Sequence, residues 1–253
     1  MSSDLSERGR LEVERSASEA RKIVLQPVDI DRYLNPPANT PFPLEYAFYL
    51  LGDVRGKCVL DLGCGSGETL IPLVHRGANA TGMDLSPDLI TIAKRRLREA
   101  GVEARAEVGS AYETGFADSS FDVVFCMSLI HHLDISIVRE EMRRILKPGG
   151  YIVLKEPIRF SKGYDFLRSL FPSHEDISDF EHPLTREEFR EIQEGFQVDG
   201  VRFFRLPFVP LVQRTVPSVL RSSYFASAWI LNCLPRASRY ATAGAMRLTK
   251  RRF

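Results

Sequence analysis

The chain has 253 residues, enough for one large domain or two small ones. Hydrophobic residues make up 44% of the sequence and charged residues 26%, which excludes a largely disordered chain, a collagen and a coiled coil. The four cysteines are scattered, so we expect neither a disulfide framework nor a metal site, and a reducing cytoplasm fits them better. The charged N-terminus lacks an apolar core and is predicted not to be a signal peptide.

Charge is distributed unevenly along the chain. Residues 200–253 contain ten Lys or Arg and no Asp or Glu, so they carry +10. Because the whole chain carries +1, residues 1–199 carry −9. This asymmetry indicates either an anionic partner or surface for the basic end, or an internal match to the acidic body.

Residues 1–56 are predicted to form a cap of helices and loops before the main domain, residues 57–253. The charge-rich start predicts a helix around Glu12–Leu25. Prolines and asparagines make Asp29–Pro43 an expected irregular loop, and Pro43–Leu51 is expected to be a short helix.

From Lys57 onward, short apolar runs alternate with helical patterns. The predicted strands are Cys58–Leu62, Ala80–Met83, Ala104–Val108, Phe121–Met127 and Tyr151–Lys155, and the predicted helices are Gly67–Arg76, Pro87–Ala100 and Ser136–Lys147. Ser86 is the expected N-cap of the second helix, and the Pro-Gly-Gly run after Lys147 is the expected end of the third. This alternation predicts an α/β fold with a parallel sheet covered on both faces.

The alternation ends after Glu156. Residues 157–184 are predicted to be an insert that lines the substrate region, with Tyr164, His174 and His182 as minor candidates. A helix is predicted to begin at Thr185, where Glu188 completes a capping box. Two further predicted strands, Val198–Leu206 and Thr242–Lys250, flank an apolar, basic insert at residues 206–238.

The most informative segment is the glycine-rich turn in Val59–Gly67, Val-Leu-Asp-Leu-Gly-Cys-Gly-Ser-Gly. Glycines between a buried strand and a helix let a backbone pass close to a ligand. The spacing Gly-x-Gly-x-Gly, followed by Glu68, differs from the dinucleotide fingerprint and from a phosphate-binding loop. An uncharged or zwitterionic nucleoside ligand suits this turn better.

Asp84 ends the next strand, 21 residues after Gly63. An acid at this distance is placed to accept hydrogen bonds from two ribose hydroxyls. The alternative is that Asp84 caps the helix that begins near Pro87, but Ser86 already serves that purpose. The spacing therefore favours ribose binding.

Four segments together resemble class I S-adenosylmethionine-dependent methyltransferases, most of all the small-molecule group that includes the quinone C-methyltransferases. They are VLDLGCGSG, the acid in TGMDLS, FDVVFCMSLIHHL and EEMRRILKPGG. The resemblance covers residues 57–156 strongly and the remainder weakly. It implies a Rossmann-like, doubly wound sheet of seven strands, parallel except for one antiparallel strand near the C-terminus, and S-adenosyl-L-methionine as the cofactor.

The resemblance also implies the residues that contact this cofactor. Asp61 and the turn glycines would hold its methionine part, and Asp84 its ribose. The full set implied for cofactor binding is Tyr33, Asp61, Gly63, Gly65, Gly67, Asp84, Leu85, Ser110, Ala111 and Cys126. Within it, Leu85 and Ser110–Ala111 would lie at the adenine, Cys126 would offer its backbone carbonyl to the methionine amine, and Tyr33 would close over the ligand.

Three residues are candidates for the chemistry. A sulfonium methyl is already electrophilic, so an enzyme mainly has to align the nucleophile, exclude water and, where needed, remove a proton. His131 and His132 follow the fourth strand, and either could be a general base. Because adjacent side chains are expected to point in different directions, at most one should reach the substrate. Glu156, after the fifth strand, would orient a histidine or bind a substrate cation; the alternative is a solvated loop acid.

The insert at 206–238 allows three interpretations. Its longest uncharged run, Ser222–Pro235, is too short to span a membrane. A helix over Ser218–Leu234 could cap the substrate pocket, pack on a second subunit as a homodimer, or lie in a membrane interface as a peripheral contact.

The sequence as a whole predicts methyl transfer to a small organic acceptor at O, N or C. One alternative is a lipid or quinone acceptor at a membrane surface, and another is a regulatory protein that binds the cofactor without turnover. The Asn-Pro-Pro-Ala run at Asn35–Ala38 lacks the aromatic residue that stacks on a flipped base in amino-methylating nucleic-acid enzymes. We therefore expect no nucleic-acid partner.

Overall fold

The structure is a computed structural model that describes residues 2–161 and 182–251. Its strands are β1 (Cys58–Leu62), β2 (Asn79–Asp84), β3 (Arg105–Val108), β4 (Phe121–Met127), β5 (Leu146–Pro157), β6 (Phe196–Phe204) and β7 (Ala243–Lys250). Across these described ranges they form one seven-stranded sheet in the order β3-β2-β1-β4-β5-β7-β6. The neighbouring pairs among β1 to β5 are parallel, and β7 runs antiparallel to both β5 and β6. The predicted α/β, doubly wound sheet with one reversed strand near the C-terminus is confirmed.

Helices cover both faces of the sheet. They are α1 (Ser2–Ala20), α2 (Asp31–Leu34), α3 (Pro43–Leu51), α4 (Leu70–His75), α5 (Pro87–Ala100), α6 (Ile135–Ile145), α7 (Arg186–Glu191), α8 (Phe208–Thr215) and α9 (Leu220–Cys233). Alternate strand residues enter different cores: Val59 joins the cluster with α3, α4 and α5, while Leu60 joins the cluster with α6 and α7. This alternation is the period of two expected for a strand buried on both faces.

Several predicted elements match the structure. Strands β1 and β4 and helices α3 and α5 have the predicted bounds. Ser86 caps α5 through a hydrogen bond from the Leu89 amide to its hydroxyl, and Thr185 and Glu188 form the predicted capping box of α7. Local hydrogen bonds of short sequence separation set these boundaries, which is why the sequence identified them.

Other boundaries were wrong. The first helix spans Ser2–Ala20 instead of Glu12–Leu25. The helix α4 begins at Leu70 because the glycine turn continues to Gly67, whose φ is +80°. The helix α6 ends at Ile145 because Leu146 already pairs with Phe121 in the sheet, so the Lys-Pro-Gly-Gly run belongs to β5.

The predicted N-terminal cap, residues 1–56, includes a helix that packs on the sheet. Helix α3 packs on β5 and β7, and its Phe48 and Leu51 are fully buried in the core. The division at residue 56 stays a prediction, but α3 itself belongs to the helical layer of the sheet. Within the predicted insert 157–184, Tyr164 and His174 lie outside the described residues, and His182 is exposed, with its Nε2 3.6 Å from the Glu188 carboxylate.

The C-terminal insert forms α8 and α9, joined by a 3-10 turn at Pro217–Val219. The predicted helix over Ser218–Leu234 is confirmed, with its α-helical part beginning at Leu220. None of the helices in the described ranges is long and apolar enough to cross a membrane.

Candidate active site at the carboxyl edge of the sheet

Apart from Tyr33, the predicted site residues lie at or near the ends of β1 to β5, along one edge of the sheet. Ligands of open α/β sheets bind beyond this edge. The glycine turn follows β1, and Gly63, Gly65 and Gly67 have φ values of +75°, +51° and +80°. These left-handed conformations are strained for other residues, which explains the choice of glycine.

The three glycines differ in what surrounds them. A Cβ on Gly63 would lie 2.9 Å from Leu129 Cδ2, and one on Gly67 would lie 2.9 Å from Ala93 Cβ. A Cβ on Gly65 would meet no atom of the described residues within 4 Å. Gly63 and Gly67 therefore permit close packing, whereas Gly65 borders open space in which a ligand could approach the protein backbone.

Asp84 ties the end of β2 to this turn. One carboxylate oxygen accepts a hydrogen bond from the Gly65 amide at 2.9 Å, and the other accepts one from the Ser86 amide at 2.9 Å. Burial raises the pKa of Asp84, and these backbone donors oppose the shift. Asp84 does not cap α5 itself. Its oxygens sit beside Gly65, the glycine with open space, as the predicted ribose contact requires.

Asp61, in β1, is only 1% exposed. The Thr69 hydroxyl donates to its carboxylate at 2.5 Å. Burial raises the pKa of Asp61 to about 7, and the nearby Asp84 carboxylate adds to the effect, while the bond from Thr69 opposes it. This acid is thus poised to ionise when a positively charged group approaches.

The other predicted cofactor contacts are placed around the same edge. Leu85 is 36% exposed beside Asp84. Ser110 follows β3, which pairs with β2, and its hydroxyl accepts from the Tyr112 amide; Ala111 packs on the core. Cys126 is fully buried in β4 between β1 and β5, as expected for its thiol. The contacts of these residues with the cofactor stay predictions.

Tyr33 lies against α3. Its ring packs on Phe48 with centroids 4.8 Å apart, and its carbonyl accepts from Arg76. Burial raises the pKa of its phenol, with smaller contributions that include Glu68 of the glycine turn. A cofactor contact through Tyr33 also stays a prediction.

The strongest constellation joins His131 to Glu156. Glu156 is fully buried in β5, so the alternative of a solvated loop acid is wrong. One of its carboxylate oxygens accepts from the amides of Leu129 and Ile130 at 2.9 and 3.0 Å. Its other oxygen lies 2.8 Å from His131 Nδ1. Because a carboxylate can only accept, Nδ1 carries the hydrogen and Nε2 keeps its lone pair.

His132 is a different kind of histidine. The two imidazole rings lie 4.0 Å apart, so the expectation that they diverge is wrong; the 3-10 turn at Ile130–His132 keeps them together. Burial, with the neighbouring His131 and Arg15, lowers the pKa of His132 to about 3. A base this weak takes up a proton poorly near neutral pH, so His131, held by Glu156, is the better candidate for the general base.

Sequence reasoning missed Arg96, which is 5% exposed in α5. It donates to the carbonyls of Ser66 and Gln26 at 2.9 and 3.1 Å and pairs with Glu68. Arg96 thereby holds the glycine turn against the N-terminal segment. Its place on the helix face with Ile90 and Ala93 was a weak signal, because a charged residue on an apolar face needs a buried partner.

Helix α1 was also missed as part of the site. It packs on α5, with Gly9 close to the Leu85 side chain. Farther along, the Glu12 carboxylate lies 3.7 Å from His132 Nδ1. The helix therefore runs from the predicted adenine side to the histidines and covers the edge between them.

These features fit the cofactor that the resemblance implies. The buried acid Asp61, the partly buried acid Asp84 and an open glycine form an acidic cradle, which suits a cationic nucleoside. Asp61 and Asp84 would contact its charged and ribose parts, and the Gly65 backbone would pass beside it. Arg96, the buried cation next to the glycine turn, is engaged with Glu68 and backbone carbonyls and so is not left for a diphosphate.

Residues 60–154 match the family described as a methyltransferase domain. The chain is 31% identical over 128 residues to a ubiquinone biosynthesis O-methyltransferase of Alkalilimnicola ehrlichii, a match that covers 50% of this chain and 52% of the relative. It is 32% identical over 144 residues to the protein of the same name in Xanthomonas oryzae, covering 53% of this chain and 60% of the relative. The chain thus spans between half and two thirds of these relatives.

Among solved structures, a geranyl diphosphate C-methyltransferase from Streptomyces coelicolor aligns with a TM-score of 0.63. The alignment covers 96% of this chain and 98% of that protein at 15% identity. At this identity the likeness shows the fold. The family match is the finding that bears on the chemistry.

Proposed function

We propose that this chain, whose residues 60–154 match the methyltransferase domain family, is a class I S-adenosylmethionine-dependent methyltransferase that methylates a hydroxyl oxygen of a small organic acceptor. The observation that carries the proposal is the pairing of buried Glu156 with His131 at 2.8 Å. His131 belongs to the loop whose Leu129 packs against Gly63 of the glycine turn, and Glu156 holds this loop from β5. The base and the cofactor cradle are therefore built into the same strand ends.

The pair supplies what oxygen methylation needs. A hydroxyl is a weak nucleophile until its proton is removed, whereas a neutral amine needs no base. Glu156 fixes the His131 ring so that Nε2 accepts the hydroxyl proton, and the carboxylate stabilises the imidazolium that forms. S-adenosylmethionine, when bound, supplies the electrophilic methyl group.

The balance of the step is simple. The acceptor oxygen forms a bond to the methyl carbon as the carbon–sulfur bond breaks, and the sulfur keeps that electron pair. The proton passes to His131 Nε2 and later to water. The products are a methyl ether and S-adenosylhomocysteine. The name O-methyltransferase carried by the relatives supports oxygen over nitrogen and carbon.

Labelled transfer tests this proposal. The protein is incubated with methyl-tritiated S-adenosylmethionine and a small-molecule extract, and the labelled product is identified by mass spectrometry. We expect a methyl ether that forms only with the native protein. Cofactor binding without labelled product would favour the regulatory alternative, and a labelled amine or carbon would overturn the assignment to oxygen.

A membrane surface is the second candidate, as the place where the acceptor is reached. In the acid-free insert, Trp229 is 68% exposed, Phe225 52% and Leu234 61%. The opposite side of α9 faces the body: Tyr224 packs on Phe42 with centroids 4.9 Å apart, and the Ser227 hydroxyl accepts from the Leu206 amide. Outward aromatic side chains beside arginines favour an interfacial contact over a pocket cap formed by Trp229. Cytoplasmic location and a homodimer stay predictions.

A further inference from the structure

The far end of the same edge holds two cations that the proposed reaction does not use. Lys155, in β5, is partly buried, and its ammonium donates to the Ser128 hydroxyl. Arg205 follows β6 with a φ of +59°, and Thr242 fixes its carbonyl through the amide at 2.8 Å and the hydroxyl at 3.0 Å. Both side chains are thus presented by well-anchored backbone.

Small residues separate these cations. Lys155 pairs with Ala245 of β7, and Phe204, next to Arg205, pairs with Ala243. Ala243 and Ala245 are buried and present only methyl groups. Strand β7, between Lys155 and Arg205, therefore has no large side chain at these positions that could block a ligand from either cation.

No carboxylate within the described ranges balances this charge. Neither Lys155 nor Arg205 has an ion pair there, and the buried Arg205 Nε has no hydrogen-bond partner among those residues. Glu156 adjoins Lys155 but is engaged by His131 and two amides. Burial lowers the pKa of Lys155 and Arg205 lowers it further, against an opposing effect of Glu156. Among the described residues these two cations have no counter-charge, and an anionic ligand would supply one.

Space for a ligand adjoins Arg205. A cavity of about 260 Å³ lies between β6 and α9, lined by residues that include Phe203, Arg205, Leu231 and Pro41. Lys155 does not line this cavity; it lies near the base instead, because its ammonium contacts Ser128, and Ser128 and His131 belong to one short loop. The Ser128 amide donates to the Lys155 carbonyl at 2.8 Å, so this loop is held by β5 at both ends.

We propose that Lys155 and Arg205 bind an anionic group of the acceptor, of the carboxylate class, and so place its hydroxyl at His131. The inference rests on the proposed function and narrows the acceptor to an anion. Lys155 would contribute a charge-assisted hydrogen bond while keeping its contact with Ser128. Arg205 would complete the pair from the side of the cavity.

Matched acceptors test this inference. The protein is titrated calorimetrically with 3,4-dihydroxybenzoate, salicylate and 3-hydroxybutyrate, and with the neutral primary amide of each, in the presence and absence of S-adenosylhomocysteine. We expect at least one carboxylate to bind about tenfold more tightly than its amide. Lys155→Met should reduce that ratio to about one and leave amide binding unchanged. Lys147→Met is the control, since Lys147 lies in the same strand but pairs with Asp122 at 2.7 Å.

A second variant guards against a structural effect. Arg205→Met should also reduce the ratio, and Lys155→Arg should restore it. No preference for any carboxylate in the native protein, or a preference unchanged in both Lys155→Met and Arg205→Met, would overturn the inference. Failure of the proposed function is seen separately, as absent binding of S-adenosylhomocysteine or absent methyl transfer in the native protein.

Discussion

The two ends of the carboxyl edge carry opposite charge. At β1 and β2, Asp61 and Asp84 lie beside the glycine turn, whereas at β5 and β6 the corresponding positions hold Lys155 and Arg205. The same division appears in the chain as a whole, since every acid precedes residue 200. The acidic end suits a cationic cofactor and the basic end an anionic acceptor, with the His131–Glu156 pair between them.

The largest expected effect is a difference in the unfolding free energy lost when two glycines of the acidic end are replaced by alanine. Gly67→Ala places a methyl group 2.9 Å from Ala93 at a φ of +80°, so strain and overpacking together should cost about 2–5 kcal/mol of unfolding free energy. Gly65→Ala should cost only about 1–2 kcal/mol, because its φ is strained but its surroundings are open. Urea denaturation measures both.

The Gly65 variant can also be tested by measuring ligand affinity. Gly65→Ala should weaken S-adenosylhomocysteine binding in calorimetry although the protein remains folded. Equal stability losses in the two variants would contradict the difference in packing, and native affinity in Gly65→Ala would show that Gly65 does not border the ligand.

A smaller effect should follow the ionisation of Asp61, whose pKa is raised to about 7. Only the ionised carboxylate attracts a cation, so affinity for S-adenosylmethionine should rise by up to about tenfold between pH 6 and pH 8 and then level off. Binding near pH 7 should release protons, measured as a heat that depends on the buffer. Asp61→Asn should remove both effects; if that variant keeps the pH dependence, another group titrates.

The smallest effect concerns the basic insert. On vesicles with 30% phosphatidylserine, co-sedimentation of the native protein should fall with salt, since each arginine near an anionic surface adds about 1 kcal/mol. Trp229→Ser should reduce it severalfold, because an exposed interfacial aromatic is lost. Val24→Ser, at an equally exposed apolar residue outside the insert, is the control. If the native protein binds vesicles only at background level, the insert does not bind a membrane, and a pocket cap or a subunit contact remains as its interpretation.

Sequence predicted the acidic end better than the basic end, for a physical reason. The glycine turn, Asp84 and the cap at Ser86 depend on residues near each other in the chain, so spacing alone carries them. Lys155 and Arg205 are brought together across β7 from positions 50 residues apart, and no local pattern marks them. Arg96 and α1 were missed for the same reason, since their partners, Gln26 and Leu85, are distant in sequence.

The histidines show an intermediate case. Their place after β4 was predictable, and Glu156 was a candidate partner. Burial and geometry distinguish the two histidines: the 3-10 turn brings the rings within 4.0 Å of each other, and the Glu156 carboxylate fixes only His131.

The most direct test of the account measures single-turnover methyl transfer in His131→Gln, His132→Gln and Glu156→Gln at saturating cofactor. In Glu156→Gln the amide would donate to Nδ1, move the imidazole hydrogen to Nε2 and remove the base while keeping the loop contacts. We expect a loss of about 10²–10⁴-fold in His131→Gln and a large loss in Glu156→Gln, with cofactor affinity retained and His132→Gln near the native rate. Native rates in both His131→Gln and Glu156→Gln would contradict it.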